Sequence, residues 1–280
     1  MKFKTRNEST ASAINSCRKY TVLGERNSGT NAMDRYISIN FQIDRQKSPG
    51  WEVASKMRHF GGAVERATRL IGLERNRGSE SFQDFIHAFF PKEFGWKHAY
   101  AGGFRADTLK WHLTVIAVRH PISWVFSLYK NPHNVISPSK QSFKEFLCTP
   151  IQTLGRENLG REKLYPLDIY ARKLTGYIQL SHKISRANGT LIFCRFEDFV
   201  RDQKQLGEAI LKSCDVKPTH GELREVTEDT KSKGKGYQSY RSKYMSSDWL
   251  DEIPEDGFEF AENQIDWRAM SYFNYCPSGW

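Results

Sequence analysis

A short β-branched and apolar run, Tyr20-Thr21-Val22-Leu23, leads into the small polar loop Gly24-Glu25-Arg26-Asn27-Ser28-Gly29. Residues 32–39 follow, with Met33, Tyr36 and Ile37 spaced at three and four. This pattern predicts a strand, a glycine-bounded loop and a helix. Such an arrangement points backbone N–H groups and the positive end of a helix at an anion, a phosphate above all. The spacing from Gly24 to Gly29 matches the start of the GxxxxGK[ST] nucleotide loop, but Thr30 and Asn31 stand where that motif has Lys and Ser/Thr. The lysine that reaches a terminal phosphate and the hydroxyl that holds magnesium are both missing. The loop therefore predicts a phosphate-bearing ligand handled without metal–ATP equipment. A plain Gly/Ser turn would use the same residues, so the loop alone does not define a phosphate site.

The chain's 280 residues suffice for one large domain with a substantial core. We expect residues 1–18 to form a flexible leader and residues 19–280 a single domain. A hydrophobic content of 39% with 13% aromatics is globular and argues against disorder. No stretch has the run of apolar residues that spans a bilayer, and residues 1–19 lack an apolar signal core. Cys17, Cys148, Cys194, Cys214 and Cys276 are scattered, odd in number and without a CxxC pair. They predict reduced thiols and a cytoplasmic location, with neither a disulfide framework nor a zinc site. The formal charge of +10 and pI near 9.3 call for an anionic partner, whether nucleotide, nucleic acid, membrane surface or polymer.

Further along, residues 41–55 are expected as loop, with a turn at Pro49-Gly50. Residues 58–81 are expected as a basic helix and insert carrying Arg58, Arg66, Arg69, Arg75 and Arg77 on a solvated face. Residues 113–118 are continuously apolar at strand length, which suits a parallel sheet buried on both faces. Arg119-His120-Pro121 ends the run, and residues 122–129 resume at helical period. Residues 143–148 and 167–186 are predicted helices, 190–196 a second buried strand and 198–214 another helix. Residues 222–248 read as a long polar loop, and residues 260–273 as a final helix. Strands alternating with helices predict an α/β fold around a mostly parallel sheet. In that topology the segments after Leu23, Val118 and Phe196 share one crevice.

Three stations carry the chemistry: the Gly24–Asn31 loop, Trp96-Lys97-His98, and Arg119-His120-Pro121 with Ser127 eight residues beyond the arginine. An arginine ending a strand offers a bidentate fork, and a serine two turns into the next helix offers a hydroxyl to the same phosphate. Together they resemble the PAPS-dependent sulfotransferases. Ser28-Gly29-Thr30 matches the core of that family's KSGTT or RSGTT loop, and Arg119, Pro121 and Ser127 match its Arg-x-Pro…Ser motif. Lys97-His98, twenty-one residues before Arg119, is similar to its Lys-Thr-His element. Residues 193–199, Phe-Cys-Arg-Phe-Glu-Asp-Phe, look like its strand ending in Tyr-Glu-Asp-Leu, and Lys233-Gly234-Lys235-Gly236 like its late Lys-Gly clamp. The tail from Ile265 to Tyr275 resembles the closing helix of bacterial carbohydrate-type members. Asn27 departs from the pattern, since the family has a cation there; Arg26 or Lys97 is expected to replace it.

The resemblance implies a P-loop-like sulfotransferase fold and transfer of a sulfuryl group from PAPS to a hydroxyl or amine, with PAP as product. The acceptor it implies is a carbohydrate; Trp51, Trp96 and Trp111 would suit a sugar. Arg26, Asn27, Ser28, Gly29, Thr30 and Asn31 would hold the 5′ side, and Arg119 and Ser127 the 3′-phosphate. Lys233, Gly234 and Lys235 would close over it. His98 is expected as the general base, with Lys97 or Arg26 neutralising the bridging oxygen; no metal is expected. His120 and Glu197 are expected to be structural. Two other functions use overlapping residues. A P-loop nucleotide kinase or NTPase would need the absent loop lysine. A non-catalytic basic binder of nucleic acid or anionic glycan would use the net charge and residues 231–243, where Tyr237 and Tyr240 interleave with basic residues and Tyr244 follows.

Overall fold

The continuous apolar run predicted as a buried strand is buried at every position because helices cover both of its faces. The computed structural model describes residues 16–46, 96–105, 111–132, 141–160, 162–227, 237–246 and 248–277, with positions 52, 53, 84 and 109. Trp51, the basic segment 58–81 and the Lys233-Gly234-Lys235-Gly236 stretch lie outside the described residues.

In chain order the elements that position the site are β1 (Lys19–Gly24), α1 (Thr30–Asn40), β2 (Asp44–Arg45), β3 (His112–Val118) and α2 (Pro121–Lys130). After the short α3 (Phe143–Leu147) come the antiparallel pair β4 (Ile151–Gln152) and β5 (Lys163–Leu164), then α4 (Pro166–Arg186) and β6 (Thr190–Arg195). The chain closes with α5 (Phe196–Arg201), α6 (Lys204–Ser213), α7 (Tyr237–Met245), α8 (Asp248–Asp251), α9 (Glu255–Gln264) and α10 (Trp267–Met270).

The central sheet has four parallel strands in the order β2-β1-β3-β6, as the α/β expectation requires. Its register sets Gly24 beside Ala117 and Val118 beside Arg195, so β1, β3 and β6 end at one edge. The chain leaves β1 for β2 on one side and returns to β3 on the other. This reversal opens a crevice at the strand ends between β1 and β3.

Alternate side chains of each strand enter separate cores. Tyr20, Val22, Val115 and Ile192 pack with Met33, Tyr36 and Ile37 of α1 and with Leu206 and Ile210 of α6. Leu23, Ile116 and Val118 pack with Ile122, Trp124 and Val125 of α2 and with Ile169, Leu174 and Tyr177 of α4.

Four sequence expectations need correction, the first being the loop over 41–55, where Asp44–Arg45 pairs with β1 as the short β2. The single helix over 198–214 is two helices, because Asp202 is extended and its carboxylate accepts the Lys204 N–H at 3.1 Å, restarting the chain as α6. The final helix likewise breaks at Ile265, where Asp266 caps α10 by accepting the Ala269 N–H at 3.1 Å. The polar stretch expected as loop contains α7, which forms because it buries Tyr237 and Tyr244.

Gly29 caps α1 in the left-handed region at φ 80°, and a Cβ there would stand 2.6 Å from the Phe196 ring. Both the backbone angle and the lost space oppose a side chain. Gly29→Ala should cost about 1–3 kcal/mol of unfolding free energy, read as a lower urea midpoint at unchanged slope. An unchanged midpoint would contradict this packing.

Candidate active site

The crevice is a cavity of about 680 Å³ that draws its walls from the segments following β1, β3 and β6. Arg26, Lys97, Arg119, Lys130 and Lys243 line it, against one carboxylate, Glu252, among the described lining residues. Glu252 bridges the two outer lysines, with Lys130 Nζ at 2.5 Å and the Lys243 ammonium on its other oxygen. These two hydrogen bonds hold the Glu252 carboxyl below its ordinary range. Arg26, Lys97 and Arg119 line the cavity beside the aromatic rings of Trp96, Phe196 and Tyr244.

The loop after β1 is shaped by its own bonds. Asn27 is left-handed at φ 61°, and Gly24 passes so close to β3 that a Cβ would meet the Ala117 carbonyl oxygen at 2.6 Å. Ser28 sends its N–H to the Glu25 carbonyl at 3.2 Å and its hydroxyl to the same oxygen. Ser28 is therefore a turn-closing residue and does not line the cavity, whereas Arg26, Asn27, Gly29, Thr30, Asn31 and Ala32 do. The first intrahelical bond of α1 runs from the Met33 N–H to the Gly29 carbonyl. Helix geometry leaves the N–H groups of Thr30, Asn31 and Ala32 without acceptors inside the helix, so the first turn of α1 aims donors at the cavity.

Arg119 follows β3 with every guanidinium nitrogen engaged. Nε donates to Ser123 Oγ at 2.8 Å, Nη1 to the Asn27 carbonyl at 2.6 Å and Nη2 to the Tyr244 hydroxyl. The guanidinium also lies over the rings of Phe196 at 4.8 Å and Tyr244 at 5.4 Å. Ser123 and Ser127 are one turn apart on α2, and both line the cavity with Arg119. The Arg-x-Pro…Ser spacing thus puts one arginine and two hydroxyl side chains on a common wall. His120 points away from it, buried among Trp249, Trp267 and Tyr275, with burial and Arg119 pushing its pKa down to about 3. Behind the strand end, Glu197 accepts the His120 N–H at 2.9 Å and the Tyr275 hydroxyl at 2.7 Å.

His98 reaches the cavity from a turn clamped to β1, where the Gly24 N–H donates to the Lys97 carbonyl at 3.1 Å. Its Nδ1 lies 2.5 Å from the Gly24 carbonyl oxygen. A carbonyl only accepts, so Nδ1 carries the proton and the lone pair is on Nε2. Burial, then the Lys97 charge, pushes the His98 pKa well below 6.5, so the ring is neutral at working pH. The Lys97 ammonium hydrogen-bonds Asn31 Oδ1 in the first turn of α1.

Beneath the loop lies a buried charge cluster. Lys173 Nζ is 2.5 Å from Glu157 Oε2, 2.7 Å from Glu25 Oε1 and 2.5 Å from the His98 carbonyl. Arg26 pairs with the other oxygen of Glu157, and its guanidinium lies 5.0 Å over Trp96, which Arg156 also covers at 4.5 Å. Burial opposes the charge on Glu157, but Lys173 and Arg26 outweigh it and hold this carboxyl below its ordinary value. Burial prevails at Glu25 and raises it. The Trp124 indole N–H adds a bond to the Arg26 carbonyl at 2.9 Å.

The stations named from sequence therefore meet at one cavity, apart from Ser28, which turns inward, and the 233–235 segment, which lies outside the described residues. Trp111 does not join them: it sits half-exposed just before β3, at the opposite end of the sheet. Tyr237 and Tyr244, read from sequence as a stacking platform for single strands, are buried, and the Tyr237 hydroxyl donates to the Val200 carbonyl at 2.5 Å. Sequence reasoning missed Ser123, Glu157 and Lys173, and it gave Tyr244 a stacking role where the structure has it accepting a hydrogen bond from Arg119. Lys173 had a signal, because it falls on the helical stripe Ile169, Tyr177, Leu180 and Ile184. Among the described residues no group of His, Cys, Asp or Glu side chains is arranged to hold a metal, and no helix is long and apolar enough to cross a membrane. No protein-family model matches the chain, and comparison with curated proteins finds no relative.

Lys173→Met should destabilise the fold by about 3–5 kcal/mol, because two carboxylates would stay buried with Arg26 as their remaining cation in the cluster. Denaturant titration at neutral pH reads this directly. A loss under about 1 kcal/mol would mean that the cluster does not carry the loop.

Proposed function

We propose that the protein is a PAPS-dependent sulfotransferase that moves a sulfuryl group onto an acceptor hydroxyl, with a carbohydrate as the acceptor class. The observation carrying this reading is the meeting, at one strand-end cavity, of an α1 N-terminus lacking the nucleotide-loop lysine with Arg119, Ser123 and Ser127 on the facing wall. The first supplies amide donors for a 5′-phosphosulfate. The second supplies a cation and hydroxyls for a 3′-phosphate, the group that separates PAPS from ATP.

In this mechanism the acceptor oxygen attacks sulfur in line, the acceptor O–S bond forms, and the bond from sulfur to the 5′-phosphate oxygen breaks. The acceptor proton goes to Nε2 of His98, and PAP leaves. The protein contributes positioning and charge stabilisation, as in phosphoryl transfer. Asn27 lacks the loop cation, and Arg26 is held from below by Glu157. Lys97, whose ammonium stands at the first turn of α1, is accordingly the cation assigned to the bridging oxygen. Arg26 is a positioning residue that supports Trp96 and the loop. Ser28 serves through the loop shape, while Gly29, Thr30 and Asn31 provide the donors.

The test is sulfate transfer from labelled PAPS across glycans, lipids and phenols, followed by the best acceptor's pH profile. His98→Ala should lower kcat by about 10²–10⁴. Because the His98 pKa is depressed, its basic form persists as pH falls, and wild-type kcat/KM should not drop between pH 8 and 6.5 on account of this residue. Near-normal turnover by His98→Ala, or an acid limb centred at or above pH 6.5 that vanishes in the variant, would overturn the base assignment.

A further inference from the structure

Away from the cavity, at the opposite end of the sheet, two thiols face each other. Cys17 lies two residues before β1 and Cys214 caps the C-terminus of α6; they are 197 positions apart in sequence, yet their sulfurs are 3.1 Å apart. The Thr190 hydroxyl, at the start of β6, lies 3.7 Å from Cys17 Sγ. The backbone on both sides is pinned. The Arg18 N–H donates to the Trp111 carbonyl at 3.1 Å, and the Cys214 N–H to the Ile210 carbonyl at 2.8 Å. A disulfide needs sulfurs about 2.05 Å apart, so the two sulfurs have about 1 Å left to close.

We propose that Cys17 and Cys214 are a redox-modification site, a dithiol that a hydroperoxide converts reversibly into a disulfide stapling the start of β1 to the end of α6. The Cys17 thiolate would attack the peroxide oxygen, giving a sulfenic acid and releasing water after protonation. Cys214 would then attack the sulfenic sulfur, forming the S–S bond and expelling the second water. Two thiols lose two electrons and two protons while one hydrogen peroxide becomes two waters. With exposures of 6% for Cys17 and 2% for Cys214, the pair is too buried for a bulky disulfide such as oxidised glutathione, so the oxidant proposed is the small hydrogen peroxide.

The other cysteines mark the pair as distinct. Hydrogen bonding from Cys214 lowers the Cys17 pKa, whereas burial raises Cys194 well above its ordinary value. Cys148 and Cys276 are exposed, with no disulfide bond. The staple lies a strand's length, about 20 Å, from the cavity, so it acts on the fold and not on ligand chemistry. Closing so long a loop restricts the unfolded chain strongly.

The experiment uses the full chain carrying Cys148→Ser and Cys276→Ser, treated with hydrogen peroxide, quenched, and alkylated in denaturant. The expected result is an intact mass about 2 Da lower before alkylation, one alkylatable thiol remaining, and a dithiothreitol-cleavable peptide joining Cys17 to Cys214. The apparent Tm should rise by roughly 5–15 °C and return on reduction. Sulfinic acid on Cys17, retention of both thiols, or a lower Tm after oxidation would overturn the proposal. Cys17→Ser should abolish the linked peptide. If that variant does not fold, peptide mapping of the parent chain decides the matter by itself.

Discussion

The ammonium of Lys173 is the point on which the site depends. It sits without solvent exposure on a helix that packs against the sheet, and it touches a loop carboxylate, a carboxylate from the 155–157 turn and the carbonyl of His98. Those three contacts belong to three separate segments. A buried charge of this kind is costly unless its partners are all present, so the ion cluster stabilises one arrangement of the segments and penalises others. The Gly24–Asn31 loop and the histidine turn are therefore placed relative to each other by one side chain below both. The Gly24 backbone repeats the connection above, donating to Lys97 and accepting from His98.

Arg119 acts as a second strap, on the cavity side. Its bonds to Ser123, the Asn27 carbonyl and Tyr244 join β3, α2, the loop and α7 around one guanidinium. Under the sulfotransferase reading, a phosphate entering here exchanges neutral acceptors for an anionic one. The gain is charge-assisted hydrogen bonding, and the cost is displacement of the Tyr244 hydroxyl or the Asn27 carbonyl. α7 reaches the same cavity through Tyr244 and Lys243.

Much of the architecture was legible in the chain. The run 113–118 has no polar interruption beyond Thr114, and only a strand covered on both faces tolerates that. Arg119 and Pro121 could be placed because proline starts a helix cheaply and a charged residue rarely ends a buried strand without a task. What sequence could not supply was the long-range pairing. Glu157 looks like any loop glutamate until Arg26 and Lys173 come to it from two other elements. Ser28 looked like a ligand donor because its type and spacing fit, but its own turn consumes its hydroxyl. The tyrosines of α7 follow a helical spacing, 237, 240 and 244, yet surrounding Lys, Gly and Ser residues concealed it. Local polarity dominated the reading of that segment, and burial of two rings dominated its folding.

Under the proposed function, the facing walls of this cavity recognise a nucleotide phosphorylated at both the 3′ and 5′ positions of its ribose. Isothermal titration with PAP, adenosine 5′-phosphate and Mg-ATP, on wild type and Arg119→Ala, tests it most directly. PAP should bind tightest without added metal, and Arg119→Ala should lose roughly 10- to 100-fold in PAP affinity. Little change should be seen for adenosine 5′-phosphate. Equal affinity for PAP and adenosine 5′-phosphate, a preference for Mg-ATP, or an Arg119→Ala variant that binds PAP like wild type would contradict it.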